Sequence, residues 1–536
     1  MRSPDGHTVP TWKQLVSAPP QFPPPPGNVH ADVCVVGAGI AGLMTAYLLA
    51  GEGKSVIVLD EGPIGAGQTE RTSAHLASAI DDRFTQIERI HGRAGARTAY
   101  ESHAAGIELI ESVARQERID CDFKRIDGLL FPAAEDGIKA LDEELAAAKR
   151  AGFAGIERLD SITIAGRAKR PCLRFPNQAR FHPLKFLYGL ADAASRRGVK
   201  IYVGCRVKDV QGTDEKNKQP ARAQLDDGPA AITAGAIVVA TNSPAPINDW
   251  MGIYTKQSSY RTHLIAAKVP RGAFEDVLWW DDEDPYHYVR LEAAPAGTLG
   301  REDHDLLLIG GEDHKVGQFP PNAAPFARLE SWARERFPIV GEVVGQWSGQ
   351  VQEPSDYVAF IGLSPHAKPN VYVITGDSGM GLTHGALGAR LVSDLILGRA
   401  NPWTSLYDPK RKTLDADFVK ENVNVVKQYA DWISGGDVKS EADIPRGEGA
   451  VLREGLTKAA VYRDEAGRLY KCSATCTHLA CVVQWNSVEK SWDCPCHGSR
   501  FDPMGKVLMG PAIDDLKKLE CEARRGQLRV PPAPAQ

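Results

Sequence analysis

Ala31-Asp-Val-Cys-Val-Val-Gly37-Ala-Gly39-Ile-Ala-Gly42 places a run of apolar residues before three spaced glycines. This pattern predicts a buried strand, a tight turn and the start of a helix. Gly37 permits the turn, Gly39 lets a pyrophosphate approach the backbone, and Gly42 lets the helix pack on the strand. A second predicted strand ends at Asp60, whose carboxylate can accept hydrogen bonds from ribose hydroxyls. Together these features predict a dinucleotide-binding fold.

Length and composition predict a chain of several domains that stays in the cytoplasm. Its 536 residues are enough for two or three domains, and its net charge of −5 argues against a nucleic-acid partner. The N-terminal residues lack the charged and apolar segments of a signal peptide. The longest apolar stretch, residues 33–50, contains the glycine turn. We therefore expect no membrane span.

A second informative stretch lies near the C-terminus: Cys476-Thr-His478-Leu-Ala-Cys481, then Cys494-Pro-Cys496-His497-Gly-Ser499. Each half offers a thiolate and an imidazole. A zinc finger usually takes its cysteines from one element and its histidines from another, whereas an iron–sulfur cluster can place two cysteines on one iron and two histidines on the other. The sequence therefore predicts a [2Fe–2S] centre, with a structural zinc site as the alternative. The predicted ligands are Cys476, His478, Cys494 and His497.

These loops resemble those of Rieske proteins, above all the Rieske subunits of quinol-oxidising respiratory and photosynthetic complexes. In those relatives an additional cysteine pair ties the loops together, which implies a Cys481–Cys496 disulfide buried beside the cluster. Ser499 matches the residue that hydrogen-bonds a bridging sulfide. Phe501 stands where the family often has tyrosine, and the missing hydroxyl should lower the reduction potential. Gly510-Pro511 resembles the proline loop that covers the cluster.

The loop after the second strand distinguishes FAD from NAD. Glu61-Gly-Pro-Ile-Gly-Ala-Gly67-Gln-Thr-Glu-Arg71-Thr72-Ser73-Ala-His75 resembles the loop of the D-amino-acid oxidase, sarcosine oxidase and glycine oxidase superfamily. In that superfamily the loop lies along the FAD pyrophosphate and reaches the isoalloxazine. The resemblance implies FAD as cofactor, with contacts from Arg71, Thr72 and Ser73. Two interpretations of His75 stay open: a position close to the flavin, or a histidine bonded within a helix.

Later segments resemble the remaining flavin signatures of this superfamily. Ala240-Thr241-Asn242 matches the second dinucleotide signature, with asparagine in place of glycine. Residues 370–385 match the turn that contacts the ribityl chain and the pyrimidine edge, and Val207 matches a residue whose backbone contacts adenine. The implied cofactor contacts are Gly37, Ala38, Gly39, Ile40, Ala41, Gly42, Asp60, Glu61, Gly67, Arg71, Thr72, Ser73, Val207, Ala240, Thr241, Asn242, Gly376, Asp377, Met380, Gly381, Leu382 and Thr383.

Residues 250–350 predict an antiparallel sheet, with strands at 260–267, 286–291 and 306–311. In the superfamily this sheet roofs the flavin and shapes the substrate pocket. An arginine there can clamp a carboxylate, and a histidine or tyrosine can orient an amine. For each such residue a packing role is the more frequent alternative. The candidate catalytic residues are His75, Arg261, His263, His287 and Tyr288.

The fold class that follows is an α/β FAD-binding Rossmann-like domain with an antiparallel-sheet substrate domain, plus a C-terminal all-β Rieske domain. A strand pair around a turn is expected at 121–131, and Trp12 is expected to pin the N-terminal arm. The predicted boundaries are a proline-rich arm at 1–30, the FAD-dependent oxidoreductase at 31–410, a helix and linker at 411–447 and the Rieske domain at 448–533. FAD-binding parts are expected at about 31–85, 180–245 and 365–410.

The sequence has no second GxGxxG motif of the kind that marks a nicotinamide domain. We therefore expect electrons to come from an organic substrate. The prediction is an FAD-dependent dehydrogenase that oxidises an amine or amino acid, including N-methylated ones. Electrons would pass through the cluster to an external acceptor, a protein or a quinone, by an exposed edge of His478 and His497. Two alternatives stay open: a reductase component that supplies a partner oxygenase, and a redox-sensing module without amine turnover.

Overall fold

The computed structural model describes residues 6–133, 137–169, 171–226, 230–244, 253–293, 303–318, 324–365, 369–413, 416–432 and 435–519. Within these ranges the chain forms two large sheets, of eight and nine strands, and three smaller ones. Cys521 and the predicted end of the last domain lie outside the described residues.

The eight-stranded sheet, here called the nucleotide-binding sheet, forms because its central strands are near-continuous apolar runs that are buried on both faces. Its parallel strands, in spatial order, are Lys200–Tyr202, Val56–Leu59, Val29–Val36, Ala231–Asn242 and Val371–Thr375. Its antiparallel strands are Val207–Gln211, Ala221–Leu225 and Phe360–Leu363. The carboxyl ends of the parallel strands share one edge, where a doubly wound sheet binds its ligand.

Helices cover this sheet and connect it to the second sheet. The α-helices are Ile40–Gly51, Phe84–Gln116, Ile138–Arg150, Pro183–Arg196, Pro325–Arg336, Gly381–Ile396, Thr404–Tyr407 and Ala416–Gln428. Short 3₁₀ helices are Thr11–Gln14, Gln68–Arg71, Ile253–Lys256, Tyr429–Trp432 and Glu441–Asp443. The longest helix kinks at Gly92, whose φ is +70°. None of the helices in the described ranges is both long and apolar enough to cross a membrane.

The nine-stranded sheet, here called the roof sheet, begins much earlier in the chain than predicted. Its strands are His75–Leu76, Lys124–Phe131, Glu157–Leu159, Cys172–Arg180, Gln257–Pro270, Leu278–Asp281, His287–Glu292, His304–Lys315 and Val343–Pro354. The strand pair expected at 121–131 is wrong, because this segment contains one strand. Its Gly128 does not mark a turn: a Cβ there would lie 2.7 Å from the ring of Trp280, so glycine permits a close approach.

The C-terminal module consists of two small antiparallel sheets around the predicted cluster loops. Its strands are Glu448–Glu454, Thr457–Arg463, Leu469–Ser473, Gln484–Asn486, Ser491–Asp493, Arg500–Phe501 and Val507–Met509. The hairpin predicted around Gly467 is present. Trp492 and Phe501 are fully buried in its core beside Cys476 and Cys494.

The N-terminal arm lies over the FAD-binding part, and Trp12 anchors it. The Trp12 side chain is fully buried, its Nε1 donates to the carbonyl of Thr72 at 2.7 Å, and its ring meets that of His182 edge-on at 5.0 Å. Further along, the carbonyl of Pro23 accepts a hydrogen bond from Val203 N at 3.2 Å. The arm is therefore part of the packed structure.

Candidate active site and iron–sulfur centre

A cavity of about 350 Å³ lies between the carboxyl edge of the nucleotide-binding sheet and the roof sheet. Of the 22 predicted cofactor contacts, Ala38, Gly42 and Gly376 are absent from its lining. The others are brought together from five separate segments of the chain. The cavity continues to a wall formed by residues 507–513 of the C-terminal module.

The glycine turn at residues 37–42 has the geometry that a pyrophosphate requires. Gly37 has a φ of +108°, and a Cβ there would lie 2.5 Å from the carbonyl oxygen of Ala240. A Cβ on Gly42 would lie 1.8 Å from the oxygen of Gly37, so helix and strand could not pack. At Gly39 the one close contact of a Cβ is Thr69 Oγ1 at 3.0 Å, which leaves the backbone open to the cavity. The turn therefore fits a dinucleotide.

Asp60 lies at the end of its strand and lines the cavity. Its carboxylate accepts hydrogen bonds from Ala38 N at 2.6 Å and Gly62 N at 2.8 Å, so it is held in place. Burial raises the pKa of Asp60 to about 6, although the two backbone hydrogen bonds oppose this change. The acid is thus still mostly ionised at neutral pH and can accept hydroxyl donors.

Asn242 adopts the conformation of the glycine that it replaces in the second signature. Its φ is +63°, in the left-handed region that asparagine tolerates better than most residues. Its carbonyl accepts a hydrogen bond from the hydroxyl of Thr375 on the neighbouring strand. Asparagine can therefore occupy this position of the signature, because it tolerates the left-handed conformation found here.

His75 and Tyr288 are the two candidate catalytic residues that line the cavity. Their rings meet edge-on with centroids 5.6 Å apart. Burial, followed by the charge of Arg290, lowers the pKa of His75 to about 3, so its imidazole is neutral at pH 7. Its Nδ1 bonds Ser73 Oγ at 2.9 Å. Burial likewise raises the pKa of Tyr288 well above its usual value, and its hydroxyl bonds Thr262 Oγ1 at 2.8 Å.

Arg261 lies outside the cavity lining, whereas the sequence analysis expected it at the substrate pocket. Its Nε donates to Ser348 Oγ at 2.8 Å, and its terminal nitrogen lies 3.0 Å from the carboxylate of Glu489 in the C-terminal module. Arg71 touches the cavity, but its guanidinium also turns to Glu489, at 3.3 Å, and donates to the carbonyls of Ser348 and Thr8. Both arginines therefore join the two parts of the chain.

His263 and His287, two further candidate catalytic residues, also lie outside the cavity lining. Residues on a strand alternate between its faces, and these two point away from the cavity. His263 stacks on His314 with ring centroids 5.2 Å apart. His287 stacks on Trp332 at 4.0 Å, and its Nδ1 lies 3.4 Å from a carboxylate oxygen of Asp281.

Acidic side chains at the roof-sheet end of the cavity were not predicted. Asp81 lines the cavity and accepts a hydrogen bond from Tyr286 Oη at 3.1 Å. Behind it, Ser378 Oγ lies 2.8 Å from a carboxyl oxygen of Asp82 and 2.9 Å from one of Glu353, and its single proton can be donated to only one of them. Burial and then the charge of Asp81 raise the pKa of Asp82 to about 8. Burial and then the charge of Asp82 also raise the pKa of Glu353 well above its usual value, so both carboxyl groups hold their protons more tightly than ordinary acids.

In the C-terminal module the four predicted cluster ligands come together. The thiol groups of Cys476 and Cys494 are within hydrogen-bond reach, and this contact is the main cause of the lowered pKa of Cys476. The rings of His478 and His497 lie 5.0 Å apart. Among the described residues nothing bonds His478 Nε2 or His497 Nδ1, although both atoms are buried. Two thiols and two neutral imidazoles with uncommitted nitrogens fit the ligand set of a [2Fe–2S] cluster.

The loops around these ligands follow the implied pattern. The structure joins Cys481 and Cys496 in a disulfide. The hydroxyl of Ser499 bonds the thiol of Cys476 and accepts a hydrogen bond from Ala512 N at 3.0 Å, which ties the proline loop to the cluster loops. Phe501 is fully buried and offers no hydroxyl to this region.

The expected exposed histidine edge is found only in part, because the FAD-binding part covers His497 whereas His478 is half-buried. His497 is 8% exposed, and its carbonyl accepts a hydrogen bond from Ser259 Oγ at 3.1 Å. The ring of Tyr254 meets that of His478 edge-on at 5.3 Å. The cluster loops therefore face the flavoprotein part of the same chain.

The proline loop makes a second contact between the two parts. The guanidinium of Arg206 donates to the carbonyl of Ile513 at 3.0 Å, and Lys208 forms an ion pair with Asp514 at 2.9 Å. Both basic residues flank Val207, which is implied to contact adenine. The C-terminal module thus lies against the cavity at this end and beside the roof sheet.

Comparisons with known proteins agree with this architecture. Residues 32–395 match the family described as FAD dependent oxidoreductase, and residues 436–520 match the Rieske [2Fe-2S] domain. The chain belongs to the FAD dependent oxidoreductase family. This member of the family carries a Rieske domain, and it binds FAD and a [2Fe–2S] cluster. The predicted fold class and the enzyme class, an FAD-dependent oxidoreductase, are confirmed.

Individual relatives support both halves of this FAD dependent oxidoreductase. It is 30% identical to the Rieske 2Fe-2S iron-sulfur protein YhfW of Bacillus subtilis over 518 residues, 95% of this chain and 97% of that protein. It is 30% identical to gamma-glutamylputrescine oxidoreductase of Escherichia coli over 390 residues, 70% of this chain and 85% of the relative. L-Proline dehydrogenase from P. horikoshii has a similar fold, with a TM-score of 0.57 at 19% identity over 72% of this chain and 98% of its own.

Proposed function

We propose that the protein is a dehydrogenase that oxidises an amine or an amino acid and passes the electrons through its Rieske centre to an external acceptor. Bound FAD takes up two electrons from substrate, and a Rieske cluster transfers them singly. The observation that carries the proposal is one side chain: Gln350 lines the cavity, and its Nε2 donates to the carbonyl of Gly498 in the cluster loop at 3.1 Å. The cavity wall and the cluster loop are therefore in direct contact.

The substrate class is supported by the relatives. The Escherichia coli relative is named for gamma-glutamylputrescine, and the P. horikoshii structure is that of an L-proline dehydrogenase. Both compounds contain a nitrogen next to an oxidisable C–H group. Fold similarity alone is a weak guide to substrate, so the site itself must supply further evidence.

Individual residues take these roles in the proposal. The turn at 37–42 and Asp60 hold the dinucleotide, and the two cysteines and two histidines named above hold the cluster. His75 has a pKa of about 3 and is therefore a weak base at neutral pH. We assign it, with Tyr288, to positioning the substrate by hydrogen bonds. Thr477 and Ala480 are exposed beside the cluster loops, and we place the approach of the acceptor there.

An anaerobic titration tests the proposal. The purified holoprotein is mixed in turn with amines, amino acids, NADH and NADPH, while flavin absorbance and the EPR signal of the reduced cluster are followed. We expect an amine or amino acid to bleach the flavin and the EPR signal to follow. In Cys476→Ser, bleaching by the same substrate should persist without the EPR signal. Reduction by a nicotinamide alone would refute the dehydrogenase and favour the reductase component.

A further inference from the structure

We infer that the substrate binds as a cation, held by carboxylate groups and aromatic rings of the cavity, and that it has no carboxylate next to the reacting nitrogen. The inference rests on the proposed function, because it narrows the substrate of the same cavity to amines and excludes α-amino acids. It depends on three observations: the acids at one end, the aromatic rings around them, and the engagement of the cavity's arginines elsewhere.

The first acid, Asp81, faces the cavity at the end where the flavin signatures meet. Its Oδ2 accepts a hydrogen bond from Tyr286 Oη at 3.1 Å, and both side chains are half-buried. A Cβ on Gly379, in the turn implied to contact the flavin, would lie 2.5 Å from the same carboxylate oxygen. Burial raises the pKa of Asp81, whereas the charge of Arg83 lowers it. The Arg83 guanidinium donates to the carbonyl of Asp281, and in the part of the chain that the structure describes no arginine or lysine makes a hydrogen bond or ion pair to Asp81.

A second acid, Asp313, lies directly behind the cavity wall. It hydrogen-bonds Thr262, a cavity residue that also bonds the hydroxyl of Tyr288. Its Oδ1 is buried and has no hydrogen-bond partner among the described residues. A buried carboxylate oxygen without a donor is unfavourable, so a cationic ligand nearby would stabilise this end of the cavity.

Three aromatic rings complete this end of the cavity. Trp280, Tyr286 and Tyr288 all belong to its lining, and the two tyrosine rings lie 5.7 Å apart at a tilt of 39°. Aromatic faces attract organic cations within about 6 Å of the ring centre. Rings next to a carboxylate form a site for an ammonium group with an apolar body.

The arginines of the cavity are engaged elsewhere. Arg71 pairs with Glu489 and donates to two carbonyls, while Arg206 donates to Ile513 O at 3.0 Å and lies 3.7 Å from Glu61. No lysine belongs to the lining within the described ranges. An α-carboxylate would therefore lie near the carboxylates of Asp81 and Asp313 without an arginine to bind it in a bidentate manner. Repulsion between like charges would then disfavour binding of an α-amino acid.

Matched pairs of compounds test the inference. Putrescine differs from ornithine, and tryptamine from tryptophan, by the α-carboxylate alone. Binding to the oxidised holoprotein is measured by calorimetry and by the perturbed flavin spectrum, so that no turnover is needed. We expect the amine of each pair to bind more tightly, and Asp81→Asn to weaken that amine by about 10- to 150-fold, as loss of a hydrogen bond to a charged group does.

Controls separate the possible failures. Asp276→Asn removes a carboxylate that pairs with Arg180 outside the cavity, and it should leave amine binding unchanged. Asp81→Glu should restore binding in part. If Asp81→Asn does not fold, Asp313→Asn provides the same comparison. The inference is overturned if the amino acid of each pair binds more tightly than the amine. It is also overturned if Asp81→Asn binds the amine as tightly as the parent does. Binding of amines without flavin bleaching would refute the proposed dehydrogenase but support the cation site.

Discussion

Replacement of Glu489 by glutamine gives the sharpest test of how the two parts of the chain are joined. The carboxylate of Glu489 is fully buried, 3.3 Å from Arg71 and 3.0 Å from Arg261, and it accepts hydrogen bonds from Thr8 N and Oγ1. Burial by itself would raise the pKa of this acid, but Arg261, then Arg71 and Arg500, hold it well below the usual range. Glutamine has the same shape but removes the negative charge that Arg71 and Arg261 contact, while Arg500 keeps its ion pair with Asp493.

The expected cost follows from that geometry. Removal of one partner of a buried ion pair costs about 3–5 kcal/mol, because the remaining charge stays buried. We therefore expect Glu489→Gln to lower the free energy of unfolding by about 3–5 kcal/mol. Urea titrations of the holoprotein are followed by flavin fluorescence and by the visible circular dichroism of the cluster. Loss of the cluster signal at lower urea than in the parent is expected, since the contact holds the Rieske domain in place.

Glu454→Gln is the matched control, because Glu454 pairs with Lys471 at the surface of the same module. An exposed pair contributes about 0–1 kcal/mol. If Glu489→Gln and this control differ by less than about 1 kcal/mol, the buried carboxylate does not hold the two parts together and the reasoning from charge burial is wrong.

Three further predictions concern the cavity and the cluster. The pKa of Asp82 is about 8 in the folded protein, whereas the ordinary value is 3.8. Protonation of Asp82 therefore stabilises the folded state at low pH, and this stabilisation is lost as the pH rises through 8. Asp82→Asn should therefore raise Tm relative to the parent at pH 9 and match it near pH 4, and equal Tm differences at both pH values would contradict this. Gly39→Val should abolish FAD binding, seen as absent flavin absorbance, because the side chain would enter the cavity beside Thr69; retained flavin would show that the phosphate turn is elsewhere. Phe501→Tyr should raise the reduction potential in an EPR titration, since a hydroxyl would reach the cluster region; an unchanged or lower potential would count against that contact.

Local motifs were predictable from the sequence, and contacts between distant segments were not. The turn at 37–42 and the paired Cys and His residues depend on short spacings, so their geometry could be inferred directly. The pairing of Arg261 with Glu489 could not be predicted, because Glu489 belongs to another module and nothing in either neighbourhood indicates the contact. Asp81 and Asp313 were missed for a similar reason: each is an ordinary acidic residue, and the cavity between them exists only once the roof sheet has formed.

The arm contact at Glu489 has a consequence for how the protein is made. Thr8 precedes its partner by 481 residues, so at about 5–20 residues per second it leaves the ribosome roughly 25–100 s earlier. During that interval Arg71 and Arg261 lack the carboxylate of Glu489, and the arm cannot complete its hydrogen bonds. A truncated chain that ends before the Rieske domain would retain this imbalance permanently. Production of the flavoprotein part alone is therefore expected to give a product that is less soluble and more dependent on chaperones than the full chain.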